Sequence, residues 1–255
     1  MLAHERQEAI ADLLRREGKM TVPQLQAELG ASPATVRRDL AGLEERGQVV
    51  RVHGAVVHPS AFRGEATLAQ KSRVAGDAKR AIARFAAGMV PQGATVLLDA
   101  GTTALELGRL LLPRSDVTIL THSLPLLCLT LEGASARVIG LGGEVRRVSG
   151  ALVGALSLSW LDNVRADWCF LGASGLHPTE GAFTTEPLEA AVKSALLRRA
   201  PKRVLLADAR KWNKAATVRF GAWSDFDFWV SDLPIQTMKQ VPAMNLTPSS
   251  TEDNA

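Results

Sequence analysis

Cysteine is nearly absent from this sequence: 255 residues contain two, Cys128 and Cys169, both in apolar surroundings. Two thiols without metal-ligand spacing exclude a disulfide framework and a multi-cysteine zinc site, and both are read as small core residues. Long apolar runs are also missing. The longest, Val117 to Leu131, is broken by Thr, His, Ser and Pro, and it falls short of the roughly 20 residues a membrane helix needs. The first residues are charged and lack the apolar segment of a secretory signal, so a cytoplasmic location is expected. No basic surplus marks the first segment. Residues 1–57 hold eight Lys+Arg against eight Asp+Glu, which leaves the net charge of +4 to the rest of the chain. Any anionic partner of that segment must therefore be met by local charge placement.

What is present is apolar residue in quantity. Hydrophobic residues make up 46% and charged residues 22%, enough for one large domain or two unequal ones.

The stretch Ser32 to Gly47, SPATVRRDLAGLEERG, has a strong helix start and two chemically different faces. Ser32 is a cap, Pro33 is tolerated at the first helical position, and Gly47 stops the run. At 100° per residue Val36, Leu40 and Leu43 share one side. Ala34, Arg38 and Ala41 come out opposite, flanked by Thr35 and Arg37, and the acids Glu44 and Glu45 come last. A helix that enters a DNA major groove needs this division of apolar back and small, basic front. An ordinary amphipathic helix with solvated arginines fits the stretch alone equally well.

The neighbouring sequence favours the groove reader. His4 to Arg16 carries Ile10, Leu13 and Leu14 at helical spacing and stops at Gly18, and PQLQAELG is a short second helix closed by Gly30. Only Ala31 separates it from the Ser32 cap, the tight connection of a helix-turn-helix. QVVRVHGAVV then alternates about a turn at His53-Gly54, a two-stranded wing in which Arg51 and His53 share a face and can reach phosphate or minor groove, with a solvated strand face as the alternative. The segment TVPQLQAELGASPATVRRDLAGLEERGQVVRVHGA resembles the N-terminal domain of DeoR-type bacterial transcriptional regulators, in which the Arg-Arg-Asp-Leu of the helix and the Arg-x-His-Gly of the wing recur. His53-Gly54-Ala55 departs from the family pattern, which has two glycines before the alanine. Double-stranded operator DNA is the partner the resemblance implies, with Ser32, Thr35, Arg37, Arg38, Arg51 and His53 as its contacts.

Residues 58–76 mix Pro, Gly, Ser and charge without clear periodicity and are expected to be a linker. From Asp77 apolar helix and apolar strand alternate, which predicts an α/β domain with a mostly parallel sheet over 77–236. The residues from Thr237 to the end are polar, contain Pro and are expected to be disordered. In this domain Thr95 to Asp99 reads as a buried strand that runs into Gly101-Thr102-Thr103 and a helix. The free N–H groups and hydroxyls at such a start suit an anion, and Asp99 suits sugar hydroxyls; a plain capped turn is the alternative. Thr121, His122 and Ser123 follow a second strand, and Gly142-Gly143 a third. His122 is equally readable as a ligand contact or a structural group, and Arg146 or Arg147 as a phosphate clamp or a solvated side chain. Asp167 to Leu171 leads to Gly172, Ser174 and Gly175, then a loop to Gly181 and a helix on which Glu186, Glu189 and Lys193 share a face. Lys202 to Asp208 is a further strand, with Lys211 after its tip, and Phe226 to Val230 the last.

These pieces are similar to the effector domain of the same family, which has the fold of ribose-5-phosphate isomerase and the CoA-transferases. The resemblance implies an effector site at Asp99, Gly101, Thr102, Thr103, Thr121, Ser123, Gly142, Gly143, Gly172, Ser174, Glu186, Lys193 and Lys211, with no cofactor and no metal. It implies a repressor of a sugar operon that senses a phosphorylated sugar or related metabolite and works as a homodimer or homotetramer. The isomerases carry two acids where this chain has Ser174 and Gly175. An active sugar-phosphate isomerase fused to a DNA-binding domain is the alternative, disfavoured by the missing base. A large domain that only oligomerises is a third reading.

Overall fold

The computed structural model describes residues 2–52, 54–61, 65–233 and 243–245. The chain divides into two compact units, Met1–Gly76 and Asp77–Ala255.

In the first unit α1 (Ala3–Glu17) ends where Gly18 adopts φ 72° and donates its N–H to Leu14 O. Strand β1 (Lys19–Met20) follows, and then α2 (Val22–Leu29), capped by Thr21 in a reciprocal box with Gln24. Gly30 takes the left-handed conformation that turns the chain into α3 (Pro33–Glu45), whose cap Ser32 accepts the N–H of Thr35. Strands β2 (Val50–Val52) and β3 (Ala55–Val57) form the wing. The sheet has a third strand, since β1 pairs with β3. Two residues are too short to carry a period, so β1 has no counterpart in the sequence reading. Ile10, Leu14, Leu25, Val36, Leu40 and Leu43 form the core between the three helices.

The expected linker is largely folded. Thr67 caps α4 (Leu68–Arg73) in a second reciprocal box with Gln70. Gln70 Nε2 donates to Arg51 O at 2.6 Å, and Ala75 N–H donates to Glu45 O at 2.9 Å. Residues 65–76 thus belong to the first unit, while 62–64 lie outside the described residues.

The second unit opens with α5 (Gly76–Met89) and β4 (Thr95–Leu98), then α6 (Thr102–Leu111), β5 (Thr118–Thr121), α7 (Leu124–Thr130) and β6 (Arg137–Gly140). A hairpin of β7 (Glu144–Arg146) and β8 (Ala151–Val153) leads to α8 (Ala155–Asp162) and β9 (Trp168–Gly172). After β10 (Gly175–His177) and β11 (Gly181–Thr184) come α9 (Pro187–Leu197), β12 (Lys202–Leu206), β13 (Val218–Gly221), β14 (Phe228–Ser231) and β15 (Ala243–Asn245). Seven strands form one parallel sheet in the order β15-β14-β12-β9-β4-β5-β6.

Both faces of this sheet are buried, which is why its strands are continuously apolar. Val96, Leu98, Phe170 and Val204 face Ile82, Ala86, Leu107 and Leu126 of α5, α6 and α7. Leu97, Cys169, Leu171 and Leu205 face the other way, toward Leu161 of α8 and Val192 and Leu196 of α9. Two expectations are corrected. The segment expected as a loop to Gly181 is the hairpin β10–β11, extended by β13 into a three-stranded antiparallel sheet. Ala243–Asn245, in the stretch expected to be disordered, pair in parallel with β14 because an edge strand needs only a backbone neighbour; residues 237–242 and 246–255 lie outside the described residues. Among the described residues no helix is long and apolar enough to cross a membrane.

Candidate functional site

The first candidate surface is the front of α3. Arg37, Arg38, Ala34 and Ala41 are exposed, and Val36, Leu40 and Leu43 are buried behind them. Ser32 Oγ accepts the Thr35 N–H at 3.2 Å and lies 2.9 Å from Thr35 Oγ1, so the two hydroxyls engage each other at the helix start. Arg51 is placed differently from the expectation of a free phosphate contact. Its Nε lies 3.2 Å from Glu44 Oε2 and its Nη2 donates to Arg37 O at 3.2 Å. His53 lies outside the described residues.

Asp39, which carries no signal in the sequence, is 2% exposed on the back of α3. Arg6 of α1 grips it with two bonds, Nε to Oδ2 at 2.5 Å and Nη2 to Oδ1 at 3.2 Å, and Gln7 adds a third at 3.4 Å. A buried carboxylate needs such pairing, but partners more than 30 residues away leave no local pattern to detect.

The second candidate lies at the carboxyl ends of the parallel strands, where open α/β sheets bind ligands. Asp99, just past β4, is 1% exposed. Its Oδ2 accepts from Lys193 Nζ and, at 2.9 Å, from the Gly172 N–H at the end of β9. Lys193 Nζ also donates to Gly172 O at 3.0 Å. On the other side His122 Nε2 lies 3.0 Å from Asp99 Oδ1 and 3.2 Å from the Ala100 N–H, and its Nδ1 faces Leu152 O at 3.1 Å. Burial opposes the charge of Asp99, but Lys193 and then His122 outweigh it and hold the carboxyl well below the usual carboxylate range. His122, left open between two readings, is thus part of a fully buried network.

Asp208, past the tip of β12, is a second buried carboxylate. Burial raises its proton affinity, but Lys211, then Arg210 and Lys79, bring the balance below the ordinary value. Its Oδ1 accepts from Arg210 N–H and Nε, whereas Oδ2 makes no hydrogen bond. An unsatisfied buried oxygen costs about 1–3 kcal/mol, so this atom is an acceptor in want of a donor.

Between these tips α6 begins. Its cap is Gly101, which has no side chain to offer the first-turn N–H groups. A Cβ on Gly101 would lie 3.3 Å from Asp99 Oδ2, which places the helix start directly at the buried network. The Thr102 and Thr103 side chains make no hydrogen bond to other described residues.

Other expected contacts are occupied within the fold. Thr121 Oγ1 gives its proton to Leu98 O at 2.8 Å, and Ser123 Oγ caps α7 by accepting the Leu126 N–H. Glu186 caps α9 by accepting the Glu189 N–H at 2.8 Å. The buried acid of that face is Glu189, which accepts from Arg146 Nη1 at 3.0 Å. Helical spacing puts both acids on one face, but Glu186 is the local cap of the helix and Glu189 is the buried one. Gly142 O accepts from Ser157 Oγ. Ser174 is half-buried, its N–H donating to Phe183 O. Lys211 closes a 3-10 turn after β12. Gly143 sits at φ 144°, and a Cβ there would lie 2.2 Å from Ser157 Oγ and 2.6 Å from Val153 O. Gly143→Ala is therefore expected to cost about 1–3 kcal/mol of stability, read as an earlier urea midpoint; an unmoved midpoint would mean that the β8–α8 segment relaxes freely. Among the described residues no group of three His, Cys, Asp or Glu is placed to hold a metal.

Comparison with known proteins bears on both surfaces. The family described as "DeoR-like helix-turn-helix domain" matches residues 6–62, and "DeoR C terminal sensor domain" matches residues 75–233. The HTH-type transcriptional regulator GlpR of Haloferax volcanii is 34% identical over 232 residues, covering 91% of this chain and 91% of its own. The glycerol-3-phosphate regulon repressor of Escherichia coli is 29% identical over 230 residues, covering 90% and 91%. Of solved structures, a ribose 5-phosphate isomerase A from Methanocaldococcus jannaschii aligns over 54% of each chain at 20% identity, with a TM-score of 0.41.

Proposed function

This chain belongs to the DeoR family of transcriptional regulators, and on that premise we propose that it represses a sugar or carbohydrate operon under the control of a phosphorylated sugar or related metabolite. The observation that carries the sensing half is the start of α6. Glycine as its cap leaves first-turn N–H groups and two threonine hydroxyls without side-chain partners, at the strand tips. Donors and a positive helix end suit a phosphate. Asp208 Oδ2, an acceptor without a donor, suits a sugar hydroxyl. The relative named for a glycerol-3-phosphate regulon supports the same ligand chemistry.

DNA binding falls to the exposed front of α3, with Arg38 toward base edges and Arg37 toward phosphate. The first unit holds 11 Lys+Arg against 9 Asp+Glu over residues 1–76, a surplus of only two, so tight specific binding needs two or more copies acting together in a homodimer or homotetramer. Ligand at the strand tips shifts the population of arrangements in which those copies reach their half-sites. The protein carries out no reaction in this reading. Asp99 is held charged by Lys193, a poor base for enediol chemistry, and a Cβ at Gly175 would lie 2.1 Å from Lys214 O, so the loop has no room for an acid there.

Calorimetry with glycerol 3-phosphate, fructose 1-phosphate and ribose 5-phosphate is expected to reveal binding that Thr102→Val weakens. One hydrogen bond to a charged group is worth about 1.5–3 kcal/mol, roughly 10- to 150-fold. No heat from any of the three, or equal affinity in the variant, would count against the site.

A further inference from the structure

Glu44 stands in the last turn of α3 and is only 5% exposed. A buried carboxylate in a unit meant to approach a polyanion is costly unless it is paired. Its pairing joins three separate elements. Oε2 lies 3.2 Å from Arg51 Nε on wing strand β2, and Oε1 lies 3.8 Å from Arg73 Nη1 on α4. The same Arg51 donates from Nη2 to Arg37 O in α3, and its own carbonyl accepts from Gln70 of α4. Ala75 closes the strap on Glu45 O.

We infer that Glu44 and Arg51 are a positioning pair that sets the wing against the recognition helix, with α4 holding the pair from outside. Arg51 works through Glu44 and does not contact phosphate, and the functional DNA-binding unit runs on to residue 75. The inference rests on the DNA-binding reading of α3.

The sign of one substitution separates this pair from two independent charges. If the charges acted separately, Glu44→Gln would remove a repulsive acid and tighten binding. Arg51→Gln would weaken binding and lower the slope of log affinity against log salt by about one. For a positioning pair, both variants bind about five- to tenfold more weakly, with the salt slope unchanged, and the double variant is no worse than either single one. The measurement uses the full-length protein and a labelled duplex from the region upstream of its own gene, titrated by fluorescence anisotropy at several salt concentrations. Gln70→Ala and Arg73→Gln, which loosen the strap but leave the Glu44 and Arg51 side chains in place, are expected to weaken binding in the same direction. They carry the test if a thermal melt finds Glu44→Gln unfolded. Wild-type or tighter binding by Glu44→Gln, or a lower salt slope for Arg51→Gln, would overturn the inference. Failure of the wild-type protein to bind the duplex would instead overturn the reading it rests on.

Discussion

Arg38→Ala is expected to narrow the gap in affinity between operator and unrelated DNA while leaving the fold unchanged. Arg38 is exposed and makes no hydrogen bond or ion pair with other described residues, so its loss removes no internal contact; surface changes of this kind shift stability by no more than about 0.5 kcal/mol. A bidentate Arg to guanine pair is worth about 1–3 kcal/mol of base discrimination, or roughly 5- to 150-fold. Arg37→Ala should behave differently. A phosphate contact carries no sequence information, so its loss weakens specific and non-specific binding alike and lowers the salt slope by about one. Anisotropy with operator and scrambled duplexes separates the two outcomes. Undiminished discrimination by Arg38→Ala would remove it from the reading surface.

Lys193→Met is the substitution expected to harm the second unit most. The Lys193 and Asp99 side chains are 7% and 1% exposed, and their contact lies at the end of β9 between two other strand tips. Removing the ammonium leaves a buried carboxylate without its main cation, a loss of about 3–5 kcal/mol. The pH dependence follows from the sign of the shift. In the wild type the folded carboxyl lies below its unfolded value. Its contribution is therefore full above the ordinary carboxylate value, near pH 4, and is lost as pH falls through the folded value. In the variant burial raises proton affinity, so acid neutralises the unpaired charge and narrows the gap to wild type. Asp99→Asn combined with Lys193→Met should be less harmful than Lys193→Met alone. Urea unfolding at pH 5 and pH 8 measures the gap between variant and wild type on the acid and the neutral side; equal midpoints for variant and wild type would refute the stabilising role of the pair.

The readable and unreadable parts of this molecule differ in range. Gly18, Gly30 and Ser32 mark helix ends by local backbone chemistry, and α1, α2 and α3 fall where those marks predict. The buried strands were legible because both of their faces are apolar. Strand β1 and hairpin β10–β11 exist through pairing with distant segments and have no periodic pattern of their own. Helix α4 did leave a local mark, the Thr67-x-x-Gln70 box, which was hidden by the charge and glycine around it. In the site, Asp99 and Lys193 were visible as a strand tip and a helix face. Their contact, and the bond from the Thr121 hydroxyl to Leu98 O on the neighbouring strand, depend on how the elements meet, whereas Ser123 and Glu186 are taken up as local helix caps. The partners of Asp39 and Glu44 show the same limit: a sequence displays charges, but only the fold says which of them neutralise one another.

The coupling of the two units is the central claim, and one titration tests it most directly. Full-length protein bound to a labelled duplex from the region upstream of its own gene is titrated with glycerol 3-phosphate, fructose 1-phosphate and ribose 5-phosphate, and operator affinity is read by anisotropy. At least one of the three is predicted to change the affinity about tenfold or more, within the roughly 5- to 150-fold span of allosteric couplings, and Thr102→Val is predicted to abolish that change while leaving binding without ligand intact. Operator affinity that none of the three sugar phosphates alters would contradict the account.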